Sequence, residues 1–190
     1  MSKNDSTAKT SKGLGEITST VLFLIGVIAC YFGAISGLLW VGPLVVAVIG
    51  AVKLFFSSDW TLDLKLVLFV GVLGLAVETL LILFRVYTPA PRTRIWLSWP
   101  FLPEWIFALW LNFGFRLKSL IPIMSQQMWL SWITGFVFGI LIFTSAQART
   151  LLELDRGNIS LLIIAVVWAV TVFLIFHYAA VIFYREVEKK

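Results

Sequence analysis

One carboxylate inside an apolar segment is the side chain of this sequence best suited to chemistry in a low-dielectric medium. Glu78 lies in the run from Leu64 to Phe84, which has no other charged residue after Lys65. A carboxylate near the middle of a span costs about 2.5 to 3.5 kcal/mol on insertion scales, so it should face protein or water. Glu78 could bind a proton, a cation or a polar headgroup. Alternatively, it could be protonated or hydrogen-bonded and join two helices.

A second group of polar side chains follows one face of the segment from Pro103 to Leu120. Its members recur at helical steps of three or four residues: Trp105, Ala108, Asn112, Arg116 and Ser119. At about 1.5 Å of rise per residue, Asn112 lies at a depth similar to that of Glu78, which predicts a hydrogen bond between them. Arg116 lies deeper, where its guanidinium could reach the phosphates of the inner leaflet. The predicted binding residues are therefore Glu78, Asn112, Arg116 and Trp105.

Nucleophiles, bases and metal ligands do not converge in the sequence. The single cysteine, Cys30, and the single histidine, His177, lie on the first and the last apolar run. No thiol or imidazole cluster is available for zinc, haem or an iron–sulfur centre. The sequence predicts no catalytic residue, no metal and no cofactor, and an integral membrane enzyme ranks last among the functions considered.

The composition is that of a membrane protein. Of the 190 residues, 60% are hydrophobic and 13% are charged, and the mean hydropathy is +0.97. These values exclude a soluble globule and favour an all-α polytopic fold, because a helix satisfies its own backbone hydrogen bonds in hydrocarbon. The net charge of +5 does not indicate nucleic-acid binding, since the basic residues are spread over every end and loop.

The apolar runs predict about six transmembrane helices. The uncharged stretch from Ile17 to Val52 is too long for one crossing of a core about 30 Å thick, so it should turn near residues 37–43, where Gly and Pro occur. The second helix is short, and a re-entrant hairpin is the alternative to a crossing. The predicted helices are Glu16 to Leu38, Pro43 to Phe56, Leu64 to Phe84, Pro103 to Leu120, Trp129 to Gln147 and Ile159 to Tyr184.

Prolines and tryptophans concentrate before the fourth helix. The segment from Ile95 to Trp105 contains two prolines and three tryptophans. This composition favours a chain that lies in the headgroup region instead of crossing the bilayer.

The polar ends and the charges predict the domain organisation and the topology. Residues 1–15 are expected to form a disordered cytoplasmic tail, residues 16–184 a single transmembrane domain, and residues 185–190 a charged cytoplasmic C-terminus. Six crossings place both termini on one side. With the termini in the cytoplasm, the positive-inside rule is met, because only five of the 15 Lys and Arg residues lie outside: Arg85, Arg92, Arg94, Arg149 and Arg156.

Small residues four positions apart predict close helix packing. The pairs are Gly33 with Gly37 on the first helix and Gly135 with Gly139 on the fifth. Such pairs let two helix backbones approach. Packing within the chain is the preferred interpretation, and a homo-oligomer is the alternative.

Several short motifs in the middle of the chain carry a resemblance to a known family. They are Gly33-Ala34, Leu73 to Glu78, Leu102 to Trp105, Leu109-Trp110 with Phe113, and Leu117 with Ile121. Over roughly residues 20–155 the chain resembles small polytopic bacterial inner-membrane proteins known only as a domain of unknown function. The family usually has Asp at position 78 and a small polar residue at position 116, and Phe136 to Ala148 replaces its Gly-rich pattern. The resemblance implies a membrane protein and no known reaction; relatives often encoded beside fatty-acid-modifying enzymes point toward lipid.

Three functions fit these observations. The first is a lipid-interacting or membrane accessory protein, in which the segment from Ile95 to Trp105 and the face of Glu78 and Asn112 bind an acyl chain or a headgroup. The second is a small secondary transporter with Glu78 as its coupling carboxylate, although the two halves show no similarity. The third is a structural subunit of a larger membrane complex, because lipid-facing and partner-facing apolar surfaces have the same composition. The expected partners are the lipid bilayer and a bound lipid.

Overall fold

The fold was determined as a computed structural model, which describes the backbone of residues 3–93 and 103–188 and the side chains of residues 17–93 and 103–184. The backbone of the described ranges forms six α-helices, two short β-strands and one 3₁₀ turn. In chain order these are α1 (Lys3–Ile35), α2 (Val41–Phe56), α3 (Trp60–Leu83), β1 (Tyr87–Pro89), the 3₁₀ turn (Pro91–Thr93), α4 (Glu104–Gln126), α5 (Met128–Ala148), β2 (Leu152–Leu154) and α6 (Asn158–Glu188).

Five of the described helices are long and apolar enough to cross a membrane. They are Ile17–Ile35 of α1, α3, α4, α5 and Asn158–Tyr184 of α6. The chain is therefore an all-α polytopic membrane protein, as predicted. Helix α2 has 16 residues and is about 24 Å long at 1.5 Å per residue, which is less than a hydrocarbon core about 30 Å thick.

Helix α2 nevertheless runs back along α1. Gly37, with φ of +73°, begins the turn between them, and α2 starts two residues before Pro43, because proline is tolerated in a first helical turn. At the start of α2, a Cβ on Gly42 would lie 2.6 Å from Cys30 Cα. At its end, Lys53 Nζ donates to Ser19 Oγ at 2.8 Å. From Gly42 to Lys53 the chain advances eleven residues along α2, while their partners on α1 run back eleven residues, from Cys30 to Ser19. The two helices are therefore antiparallel.

Two predicted boundaries differ from the structure. Helix α1 begins at Lys3, whereas the sequence predicted a start at Glu16; a helix can extend into a polar segment because its backbone hydrogen bonds are internal. Helix α4 continues through Pro122 to Gln126, whereas the sequence predicted an end at Leu120. Proline removes one donor, and a membrane helix tolerates that loss where neighbouring groups take up the freed carbonyl.

The connections after α3 and α5 pair into a small cap. Strands β1 and β2 are antiparallel, with Tyr87 opposite Leu154 and Pro89 opposite Leu152. Their inward side chains are buried, whereas those of Thr88 and Glu153 are exposed. We call this end of the bundle the cap end and the other the opposite end. The strands were not predicted from the sequence. Of the predicted interfacial segment, residues 95–102 lie outside the described part of the chain.

Helix α4 is the central helix, because it contacts each of the other five. Its neighbours approach closely where glycines occur: Gly114 of α4 lies against Val67 of α3, where a Cβ would be 2.9 Å from Val67 Cα. The α4 residues Trp105, Leu117 and Ile121 are fully buried. The central position of α4 brings its polar face and its apolar face into contact with different neighbours.

The glycine pairs have different roles. Gly135 and Gly139 of α5 pack against α6, where Cβ atoms would lie 2.5 Å from Trp168 O and 3.2 Å from Ala165 Cα respectively. This is close packing within the chain. Gly33 and Gly37 do not form such a pair, because Gly37 lies outside the helix in the turn.

The α5–α6 contact gives a test of the packing. We expect Gly135→Ala to destabilise the protein by about 1–3 kcal/mol, because the added methyl group meets backbone atoms of Trp168 and Ala169 that cannot rotate away. The thermal unfolding midpoint in detergent measures this. Gly71→Ala is the matched control, since its Cβ meets the mobile end of Leu111; equal losses for both variants would contradict the assigned contact.

Candidate functional site

The carboxylate of Glu78 is fully enclosed and hydrogen-bonded. Its relative exposure is 0%. Oε2 accepts a hydrogen bond from Tyr87 Oη at 2.7 Å. Oε1 accepts from the indole nitrogens of Trp110 at 3.2 Å and Trp168 at 3.0 Å. Both carboxylate oxygens thus have donors, as a buried acidic group requires.

Four elements hold this cluster, which we call the Glu78 site (Glu78, Tyr87, Trp110 and Trp168). Glu78 lies on α3, Tyr87 on β1, Trp110 on α4 and Trp168 on α6. The two indole rings lie 4.6 Å apart between centroids. The Trp110 ring fills the space beside Gly74, one turn before Glu78, where any Cβ would collide with it. Glu78 therefore connects three membrane helices to the cap.

The predicted hydrogen bond between Glu78 and Asn112 is wrong. Asn112 Nδ2 donates to the carbonyl of Phe23 on α1 at 2.9 Å. Its amide packs on Gly26, where a Cβ would lie 2.6 Å from Nδ2. The two residues are similar in depth but lie on different faces of the bundle, so the structure does not bring the four predicted binding residues together.

The remaining predicted residues, Trp105 and Arg116, lie with Asn112 on the face of α4 that meets α1. The Trp105 ring is 1% exposed and lies 5.3 Å from the Tyr31 ring. Arg116 is half-buried and its Nη2 donates to Thr20 Oγ1 at 2.8 Å. The predicted polar stripe is therefore turned toward the protein, against one helix.

A cavity of about 290 Å³ lies at the opposite end of the bundle, between α1, α2, α3 and α4. We call it the polar cavity. Its lining residues are Ser19, Lys53, Ser57, Asp63, Gly114, Phe115, Lys118 and Ser119. Side chains of both charges and three hydroxyl groups thus surround one space, which is a lining suited to a polar ligand.

Two lysines of the polar cavity have different partners. Lys118 Nζ forms an ion pair with Asp63 at 2.9 Å. Lys53 Nζ instead donates to two neutral oxygens, Ser19 Oγ at 2.8 Å and Phe115 O at 3.1 Å. The Lys53 ammonium is thus turned into the bundle. With Arg116 one residue from the lining, the cavity is surrounded by more positive than negative charge.

Sequence reasoning missed Tyr87, Trp110 and Trp168 as partners of Glu78. The signal was present for the two tryptophans, because an indole N–H buried in the middle of a span needs an acceptor. Tyr87 gave no such signal. It lies in the connection after α3, and the sequence did not predict where that connection runs relative to α3.

His177 is exposed and stacks on Phe173 at 6.0 Å between ring centroids. Among the described residues, no group of three or more His, Cys, Asp or Glu side chains is close enough to hold a metal ion.

The apolar helices and the sealed carboxylate define a polytopic α-helical membrane protein. The chain belongs to the family described as "Protein of unknown function (DUF2878)", whose model matches residues 16–174. The predicted resemblance to a membrane family of unknown function is thereby confirmed. No curated protein and no solved structure matches the chain.

The Glu78 site predicts how substitutions of this carboxylate act. Glu78→Leu should destabilise the fold strongly, because it leaves three buried donors without an acceptor at about 1–3 kcal/mol each. Glu78→Gln should cost much less, since its amide oxygen accepts from both indoles and its amide nitrogen donates to the Tyr87 hydroxyl. Thermal unfolding in detergent checks the order. A glutamine variant as unstable as the leucine variant would show that charge, not hydrogen bonding, is required.

Proposed function

We propose that this membrane protein interacts with lipid by holding the anionic headgroup of a phospholipid in the polar cavity. The observation that carries the proposal is Lys53, a cation at the cavity whose hydrogen bonds go to neutral oxygens; the Asp63 carboxylate that also acts on it forms its ion pair with Lys118. A phosphate oxygen near this ammonium would gain a charge-assisted hydrogen bond.

The surroundings of the polar cavity suit a lipid. Phe55 and Phe56, which follow Lys53 closely, are 83% and 80% exposed, and Trp60 at the start of α3 is 55% exposed. Aromatic side chains at a helix end are typical of the membrane interface. A headgroup in the cavity would therefore have its acyl chains beside exposed apolar side chains.

The size of the polar cavity supports a headgroup and not a whole lipid. Its volume of about 290 Å³ is at the lower end of the ~300–1,000 Å³ of sites that enclose small molecules. The acyl chains would then remain in the bilayer. This arrangement differs from the predicted one, in which the segment from Ile95 to Trp105 and the face of Glu78 and Asn112 bind the lipid.

The charge distribution supports a cytoplasmic location for the polar cavity. Eight basic residues of the described backbone lie toward the opposite end, namely Lys3, Lys9, Lys12, Lys53, Lys65, Arg116, Lys118 and Arg185, whereas four lie near the cap, namely Arg85, Arg92, Arg149 and Arg156. The positive-inside rule then orients the cap toward the outside and both termini toward the cytoplasm of a bacterial inner membrane.

The geometry of Glu78 does not favour the transporter alternative. A coupling carboxylate must exchange its proton or cation with water, but every described contact of Glu78 is a buried neutral donor. Glu78 is better explained as a connection between helices. No described contact specifically favours a structural subunit of a larger complex.

Lys53 provides the test of lipid binding. Lys53→Met should weaken binding of a phosphatidylglycerol by about tenfold or more, because one charge-assisted hydrogen bond contributes about 1.5–3 kcal/mol. Native mass spectrometry of the detergent-solubilised protein measures the bound fraction. Lys53→Arg should keep most of the binding. Lys65→Met is the matched control, because Lys65 lies at the same end but does not line the cavity.

A competition measurement distinguishes a lipid phosphate from inorganic phosphate as the occupant of the polar cavity. Inorganic phosphate should not displace the lipid at equal concentration, because it has no acyl chains to partition beside the exposed aromatic side chains. Equal binding of inorganic phosphate would contradict a lipid site. Unchanged phosphatidylglycerol binding by Lys53→Met would contradict the assignment to the polar cavity.

A further inference from the structure

Three buried polar atoms without a hydrogen-bond partner lie on one helix. Among the described side chains, these atoms are Trp105 Nε1, Asn112 Oδ1 and Arg116 Nη1. All three residues are on α4, in the polar stripe that meets α1. Unpaired buried polar groups are unfavourable and uncommon, and each one requires an explanation.

The three residues meet α1 at successive levels. From the cap end, Trp105 lies beside Tyr31, Asn112 bonds the backbone of Phe23, and Arg116 bonds Thr20. We call this contact surface the α1–α4 seam, and it consists of Thr20, Phe23, Gly26, Tyr31, Trp105, Asn112 and Arg116. At 1.5 Å per residue, Trp105 and Asn112 are about 10 Å apart along α4 and Asn112 and Arg116 about 6 Å.

Both ends of the seam continue into polar groups. At the opposite end, Ser19 next to Thr20 accepts a hydrogen bond from Lys53 and lines the polar cavity. At the cap end, Tyr31 Oη donates to Ile142 O at 2.6 Å and accepts from Ser145 Oγ at 2.9 Å. Polar groups therefore follow one another from the polar cavity to the cap end of the bundle.

Helix α1 is attached to the bundle mainly by small residues. Its buried positions between residues 17 and 35 are Gly26, Cys30, Gly33 and Ala34. Large apolar residues of α1 such as Ile28 and Phe32 are more than 60% exposed. Separation of α1 from α4 would thus expose little apolar side-chain area on α1, and on α4 it would uncover Trp105; elements with few buried apolar contacts open most readily.

We infer that the α1–α4 seam is the route along which a phospholipid headgroup passes between the two leaflets. The inference rests on the proposed function, because the polar cavity is where the headgroup enters the seam. As α1 moves away, the headgroup phosphate accepts from the free donors of Arg116 and Trp105, and Asn112 offers both a donor and an acceptor midway. The acyl chains stay in the bilayer. The movement follows the lipid gradient and needs no energy source.

Lipid exchange in vesicles tests the seam. The full-length protein is reconstituted into phosphatidylcholine vesicles with a trace of phosphatidylglycerol that carries a fluorophore on one acyl chain, and dithionite then bleaches the label that reaches the outer leaflet. The wild-type protein should let bleaching continue into the inner-leaflet label. Asn112→Leu should slow this phase by about tenfold or more, because it removes both polar atoms at the middle of the route.

Control variants keep the result interpretable. Trp105→Phe retains an aromatic ring but removes the unpaired N–H, and it should slow exchange by a smaller factor. This second variant keeps the test valid if Asn112→Leu does not fold. Thr171→Val replaces a buried hydroxyl of α6 that bonds its own helix and should leave exchange unchanged.

The outcomes separate the two proposals. Wild-type protein that binds phosphatidylglycerol but does not exchange it overturns the inference and leaves the proposed function standing. Wild-type protein that neither binds nor exchanges phosphatidylglycerol overturns both the inference and the proposed function. Exchange at the wild-type rate in both the Asn112 and the Trp105 variant overturns the assignment to the seam.

Discussion

The structure depends on the inability of a hydrocarbon core to solvate a polar group. A carboxylate on α3 has no water to hydrogen-bond, so the protein must supply donors from the elements around it. Tyr87, Trp110 and Trp168 do so from β1, α4 and α6. The requirement of one side chain therefore fixes the relative positions of three helices and the cap. Directional hydrogen bonds do this better than apolar packing, which is equally available from lipid.

Helix α4 separates two environments. On one side, Trp110 faces α3 and α6, and its indole nitrogen is satisfied by Glu78. On the other side, Trp105, Asn112 and Arg116 face α1 and each retains an unpaired polar atom. Complete pairing makes a buried polar cluster rigid, whereas incomplete pairing is tolerated where a ligand or water completes it. The same helix thus provides a fixed support and a surface able to accept a polar group.

The polar cavity extends this contrast to the end of the bundle. Asp63 pairs with Lys118, so one lysine of the cavity is neutralised. Lys53 comes from the shortest helix, which ends before it would cross a full hydrocarbon core. Its ammonium lies between α1 and α4, where it bonds neutral oxygens. Helix α2 thus contributes the cation at the base of the seam.

The sequence by itself determined the membrane fold, most helix boundaries within a few residues, and the polar residues whose burial needs an explanation. These follow from composition and periodicity, which are properties of local segments. Only the tertiary structure decided which residues meet. Counting residues gives depth along a helix but not direction around it: Trp110 and Asn112 are about 3 Å apart in depth but about 200° apart around α4, because each residue turns the helix by about 100°. That rotation gave Glu78 its partner Trp110 and turned Asn112 toward α1.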